Sequence, residues 1–109
     1  QVAVRAAAMA ARTGMRISGV VENMSWLAGS GQELFGAGGG TALAEQVGAP
    51  LLGQVPLDPA LREAADEGRT IFETAAQSET AGAIAGVAER IQSLRAGAIR
   101  KPLTVLSSR

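Results

Sequence analysis

Residues 51–68 read LLGQVPLDPALREAADEG and combine a short strand with a helix that carries signals at both ends. LLGQV (51–55) is an apolar run of the length typical of a buried strand. Asp58 is a preferred N-cap residue, and Pro59 follows at the first helical position, where a missing N–H is tolerated. Gly68 is suited to end the helix. The stretch therefore predicts a buried strand that leads directly into a helix.

A second buried strand is predicted at residues 15–24, MRISGVVENM, where β-branched residues precede the polar pair Glu22 and Asn23. A helix is predicted before this strand and another between the two strands. Strands that alternate with helices indicate right-handed crossovers and a parallel sheet. Two strands do not make a stable doubly wound domain, and the chain begins within a helix. We therefore expect an α/β fold in which residues 1–97 form the C-terminal part of a larger domain.

The remaining segments follow from helix propensity and apolar spacing. Residues 2–12 predict a core helix ended by Gly14, residues 41–47 a short helix ended by Gly48, and residues 79–96 a longer helix capped by Ser78. Residues 69–73 are expected to be extended. Residues 98–109 are expected to form a basic, loosely ordered tail.

Composition excludes several kinds of function. The 109 residues contain no cysteine and no histidine, so neither thiolate ligation nor a nucleophile–base pair that uses these residues is available. Ten basic and ten acidic residues cancel, which predicts no attraction to nucleic acid or to an anionic membrane. No apolar run reaches the ~20 residues that span a bilayer. No catalytic or metal-binding residue is predicted.

Candidate ligand-binding residues lie where the two strands end. Ligands of open parallel sheets bind beyond the carboxyl ends of the strands. Asn23 offers a donor and an acceptor that suit the edge of a purine base, Pro56 and Leu57 offer a stiff apolar wall, and Asp58 leads into a helix. Two simpler interpretations stay open: Asn23 is a turn former, and Asp58 is an ordinary helix cap.

The glycine-rich stretch FGAGGG (35–40) invites comparison with a phosphate-binding loop. A Walker A loop needs a lysine and a hydroxyl residue after its last glycine, and here Thr41 follows Gly40 with no lysine. The stretch is not a Walker A loop. A weaker role for the amides of residues 38–40 in contacting an anion or a partner stays open beside a flexible corner that begins a helix.

Three blocks of this sequence, in this order, resemble the C-terminal half of the Mrp/ApbC iron–sulfur carrier ATPases. They are GVVENMSW (19–26), FGAGGGTALAEQVG (35–48) and APLLGQVPLDPALREAADEGR (49–69), within a likeness that covers residues 2 to about 95. That family belongs to the deviant-Walker P-loop group, with the nitrogenase iron protein and the cell-division-site ATPases.

The resemblance implies a parallel-sheet P-loop fold, ATP with Mg²⁺, and a cytoplasmic homodimer that passes iron–sulfur clusters to acceptor proteins. It places Asn23, Pro56, Leu57 and Asp58 at the adenine pocket, and it places the lysine loop and the magnesium ligands upstream of this chain. It also makes the FGAGGG stretch a corner at a dimer face.

One feature departs from the pattern of the cluster-carrying members. They have a C-x-x-C between the first two blocks, where this sequence has AGSG (28–31). Three functions therefore stay open: an ATP-binding cluster carrier, an ATP-dependent dimeric switch that carries no cluster, and a non-catalytic interaction domain. The 109-residue chain alone is expected not to hydrolyse ATP.

Overall fold

The computed structural model describes residues 2–33 and 38–100, with side chains described up to residue 95. The elements in chain order are α1 (Val2–Arg12), β1 (Val20–Leu27), α2 (Gly39–Val47), β2 (Leu51–Leu57), α3 (Pro59–Asp66), α4 (Ile71–Thr74) and α5 (Glu79–Arg100). The predicted mixed α/β architecture is confirmed.

The two strands β1 and β2 pair in parallel, as predicted. The register runs from Val20 opposite Leu51 to Leu27 opposite Leu57, with two irregularities. At the first, Leu52 is the extra residue, and its carbonyl accepts a hydrogen bond of 2.7 Å from Nη1 of Arg90 on α5. The guanidinium thus binds α5 to the bulge in β2.

Small residues bring the layers together, as expected for a chain with 3% aromatic residues. A Cβ on Gly53 of β2 would lie 2.7 Å from Cγ2 of Val87, so α5 crosses this strand at a glycine. The buried apolar residues are mostly small and lie on α2, β2, α3, α4 and α5 and beside them: Ala44, Ala49, Leu52, Val55, Ala64, Ile71 and Ala81.

Local capping chemistry fixes most of the element ends. Gly14 and Gly48 have φ values of 79° and 72°, the left-handed conformation that ends a helix and that glycine adopts without steric cost. Ser78 Oγ accepts from the amide of Ala81 at 3.1 Å, so it caps α5 as predicted.

The first strand begins later and ends later than predicted. Residues 15–19 lie outside it because β2 begins only at Leu51 and offers no earlier partner. β2 continues to Leu57, which allows β1 to extend to Leu27 and removes part of the predicted long loop. Val21 is 43% exposed, so β1 is less buried than predicted.

Three further predictions need correction. The segment expected to be extended forms α4, because Thr70 and Glu73 make a reciprocal capping box. Every residue of α1 is exposed or half-buried, so α1 is not a core helix in this chain. α5 runs to Arg100, three residues into the expected tail, and residues 101–109 lie outside the described residues.

Candidate nucleotide-side site at the strand ends

The sequence ENMSW forms an irregular end of β1. Between the paired positions Asn23–Val55 and Leu27–Leu57, β1 contains two more residues than β2. Met24 has a φ of 56°, a left-handed conformation that is costly for a residue with a side chain. Ser25 Oγ donates to the carbonyl oxygen of Glu22 at 3.1 Å and holds the irregular segment closed.

Asn23 lies directly before this irregularity and is exposed. Its Oδ1 accepts a hydrogen bond of 2.9 Å from the amide of Met24, as a turn-forming asparagine does. Its Nδ2 group makes no hydrogen bond to any of the described residues. The Asn23 side chain is therefore exposed, and its oxygen is ordered by the main chain.

Pro56 and Leu57 differ in accessibility. Pro56 is among the largest fully buried side chains, whereas Leu57 is 41% exposed. Since Asn23 pairs with Val55, these residues lie on the strand next to Asn23 and within two positions of it. Leu57 presents accessible apolar surface, whereas the buried Pro56 does not contribute to an exposed apolar wall.

Asp58 is held by two hydrogen bonds within the chain. Its Oδ1 accepts from the amide of Ala60 at 2.9 Å, which makes it the predicted N-cap of α3. Its Oδ2 accepts from the hydroxyl of Thr80, a residue of α5 that is fully buried. Asp58 therefore joins the end of β2 to the first turns of two helices.

Glu22 is a site residue that the sequence interpretation did not single out. Its Oε1 accepts a hydrogen bond of 2.7 Å from the amide of Gly40, in the first turn of α2. The Ser25 hydroxyl does most to lower the pKa of Glu22; burial opposes this, and the Gly40 amide and the Gln54 side chain lower the pKa further. The Gly40 amide donates directly to the carboxylate of Glu22. The hydrogen bond of Ser25 Oγ, at 3.1 Å, goes to the main-chain oxygen of Glu22.

The residues AGSG (28–31) form a closed turn after β1. The amide of Leu27 donates to the carbonyl of Gln32 at 2.9 Å, and Gly29 and Gly31 both have positive φ. The Gly29 amide also donates to Oε1 of Glu79 at 3.2 Å, which ties the turn to the start of α5. Glycine, alanine and serine side chains offer no thiolate for iron here.

Two further features are absent from the described residues. Within residues 2–33 and 38–100, no three His, Cys, Asp or Glu residues are grouped so that they could hold a metal ion. None of the described helices is both long and apolar enough to cross a membrane.

A parallel strand pair with polar residues near the carboxyl ends and one helix between the strands places the chain in the class of parallel α/β proteins. The chain belongs to the ParA family of iron-transfer P-loop NTPases of the NUBPL type, whose family model matches residues 1–92. The resemblance to iron–sulfur carrier ATPases is thereby confirmed.

Curated relatives carry the same assignment in their names. The iron-sulfur cluster carrier protein of Mycobacterium tuberculosis H37Rv is 42% identical over 106 residues, which cover 89% of this chain and 28% of the relative. The cytosolic Fe-S cluster assembly factor NUBP2 of Gallus gallus is 38% identical over 84 residues, 73% of this chain and 31% of the relative. An iron-sulfur cluster carrier protein of Saccharolobus solfataricus is 41% identical over 80 residues, 70% and 27% respectively. The chain thus spans less than a third of the length of these relatives.

Proposed function

We propose that residues 1–97 supply the base-binding, C-terminal part of an ATP-binding NTPase domain of the iron–sulfur carrier family. The observation that carries this proposal is the family match over residues 1–92, in a chain whose strand ends bear the polar and apolar groups a purine needs. The relatives are more than three times as long as the region that they share with this chain. The family resemblance would place the lysine loop and the magnesium ligands outside these 109 residues.

The residues at the strand ends fit one side of a nucleotide. Asn23 is exposed with an available amide group, and Leu57 provides an accessible apolar surface on the neighbouring strand. Pro56 is the buried residue before Leu57 in the same strand, and Asp58 caps the helix that follows. ATP, held with Mg²⁺, would supply the phosphoanhydride bond. The described residues include no group of three His, Cys, Asp or Glu residues that could hold the metal ion.

The relatives' names describe an iron–sulfur cluster carrier and a cluster assembly factor. Cluster transfer is therefore the first candidate function, and acceptor proteins would be its partners. For this function, the whole protein would act as a homodimer in the cytoplasm. The closed AGSG turn favours a second candidate, an ATP-dependent dimeric switch of the same family that binds partners without ligating a cluster through this loop. A non-catalytic interaction domain is the third candidate.

The base contact is tested by calorimetry in a protein that joins this chain to its phosphate-binding half. Asn23→Ala should weaken ATP binding by about 1–3 kcal/mol if a buried hydrogen bond to the base is lost. Gln46→Ala, which removes an exposed amide from α2, is the matched control and should leave the affinity unchanged. Equal affinity of Asn23→Ala and wild type would remove Asn23 from the pocket.

Two experiments on the 109-residue chain separate the candidates. The chain should show no magnesium-dependent ATP hydrolysis, and turnover by the pure chain would contradict the division proposed above. Anaerobic incubation with iron and sulfide should give no visible charge-transfer absorbance. A stable cluster spectrum would overturn the switch candidate and restore the carrier.

A further inference from the structure

The glycine-rich start of α2 is already bound by an anion that belongs to the chain. Gly38 is the N-cap, has a φ of 84° and provides no side-chain cap, and the first turn of α2 contains no acidic residue. The amides at a helix start need acceptors, and the partial positive charge there favours an anion. The carboxylate of Glu22 reaches from β1 and accepts from Gly40 at 2.7 Å.

The contact leaves no room for a side chain at Gly40. A Cβ at this position would lie 2.5 Å from Oε1 of Glu22, 2.9 Å from Cβ of Glu22 and 3.1 Å from Cδ1 of Leu51. The last glycine of the GGG run is therefore required by its closeness to β1, whereas Gly38 is the one with a left-handed backbone.

Other acidic groups face the same place. Glu22 lines a cleft of about 380 Å³ together with Glu33 from the turn region and Glu79 from α5, and the described residues of its lining include no cation. From β2, the neutral Gln54 side chain approaches Glu22. Neighbouring carboxylates disfavour ionisation. The charged form of Glu22 is favoured by the Ser25 hydroxyl first, and also by the Gly40 amide and the Gln54 side chain.

We propose that Glu22 is a positioning residue whose ionised carboxylate holds the glycine-rich start of α2 against the end of β1 and thereby fixes the place of Asn23. The link is short, because Asn23 is the next residue and its Oδ1 is itself bound by the amide of Met24. The part of the proposal that concerns ligand binding rests on the proposed role of Asn23 in holding a nucleotide base.

The first test uses NMR on the protein that joins this chain to its phosphate-binding half, and it needs no nucleotide. In the wild type, the Gly40 amide resonance should shift as the pH falls, with a midpoint below the value of about 4.3 for a free glutamate. Glu22→Gln keeps an oxygen acceptor but loses the charge, so the titration should vanish and hydrogen exchange of the α2 amides should accelerate about fivefold. Glu22→Asp keeps the charge but shortens the reach, so Gly40 should lose its bond.

Glu33→Gln is the matched control, since it removes the same charge from the same cleft without a bond to Gly40. It should leave the Gly40 titration and the exchange of α2 in place. A Gly40 resonance that does not follow the wild-type titration, or equal effects of Glu22→Gln and Glu33→Gln, would overturn the proposal. The wild-type titration decides this even where a variant does not fold.

The second test measures ATP affinity in the protein that joins the chain to its phosphate-binding half. Glu22→Gln should weaken binding severalfold, in the same direction as Asn23→Ala. If Asn23→Ala weakens binding and Glu22→Gln does not, the positioning role is wrong and the proposed base contact stands. If neither variant changes the affinity, the proposed base contact is wrong, and so is the positioning role of Glu22 in binding. The Gly40 titration then still tests the contact of Glu22 with α2.

Discussion

Replacing Thr80 by valine should destabilise the chain although the two side chains have nearly the same shape. Thr80 is fully buried, and its hydroxyl donates to Oδ2 of Asp58 across 22 residues of sequence. Asp58 in turn caps α3 through the amide of Ala60. The substitution Thr80→Val therefore removes one hydrogen bond to a carboxylate that connects β2, α3 and α5.

The magnitude follows from what each partner loses. A hydrogen bond to a charged group contributes about 1.5–3 kcal/mol, and Asp58 is half-buried, so water can replace part of it. We expect Thr80→Val to cost about 1–2 kcal/mol. Asp58→Ala should cost about 2–4 kcal/mol, because it removes the cap of α3 and leaves the Thr80 hydroxyl buried without an acceptor.

The double variant makes the test specific. When both partners are apolar, no buried hydroxyl is left unpaired, so adding Thr80→Val to Asp58→Ala should cause little or no further loss. Urea unfolding followed by circular dichroism at 222 nm measures all four proteins, and a loss of 2 kcal/mol moves the midpoint by about 1–2 M. Thr41→Val, the same change at an exposed position in the first turn of α2, is the control and should cost less than about 0.5 kcal/mol. Additive effects in the cycle would refute the reasoning.

Three other predictions concern single positions. Gly53→Ala should destabilise the chain by about 1–3 kcal/mol because its Cβ would meet Val87. Gly82→Ala in α5 has nothing within 4 Å of its Cβ and should stabilise the chain by up to about 1 kcal/mol. Urea unfolding compares the two variants, and equal effects would contradict the packing argument. Met24→Gly should stabilise by about 1 kcal/mol because it relieves the left-handed backbone, and Met24→Ala should not; a thermal melt that ranks alanine above glycine would contradict this. Because folding lowers the pKa of Glu22, this carboxylate stabilises the fold fully above the unfolded pKa of about 4.3, and the stabilisation is lost as the pH falls through the lower folded pKa. Glu22→Gln should flatten the acidic part of the plot of unfolding free energy against pH. An unchanged plot below the unfolded pKa would exclude the contribution of Glu22.

Local signals predicted the elements that depend on local chemistry. Asp58 with Pro59, Ser78, Gly14 and Gly48 all cap or end helices as their residue types indicate. The parallel pairing also followed from the alternation of strands and helices. Each cap rests on a few neighbouring residues, and the parallel pairing follows from the order of the elements, so a single sequence is sufficient to find them.

Contacts between distant residues account for what the sequence did not predict. The limits of β1 depend on where β2 begins and ends, which no pattern within residues 15–24 contains. The bond from Thr80 to Asp58 joins residues 22 positions apart, and nothing in the letters around Thr80 indicates it. α4 is different, because the Thr70–Glu73 spacing of a capping box was present and the apolar β-formers between these residues obscured it.

The two stretches that most resemble ligand sites in this chain are both bound internally. The GGG run leads into a helix as a phosphate loop does, yet the amide of Gly40 is bound by the chain's own carboxylate. The turn at the position of the cluster-binding loop has no cysteine and is tied to α5 by Glu79. Family membership fixes the architecture, whereas function depends on the groups at each site. Among the described residues, Asn23 and Leu57 are exposed at the strand ends and form the proposed base-binding surface, so nucleotide binding rather than cluster ligation is the family property to test first in this chain.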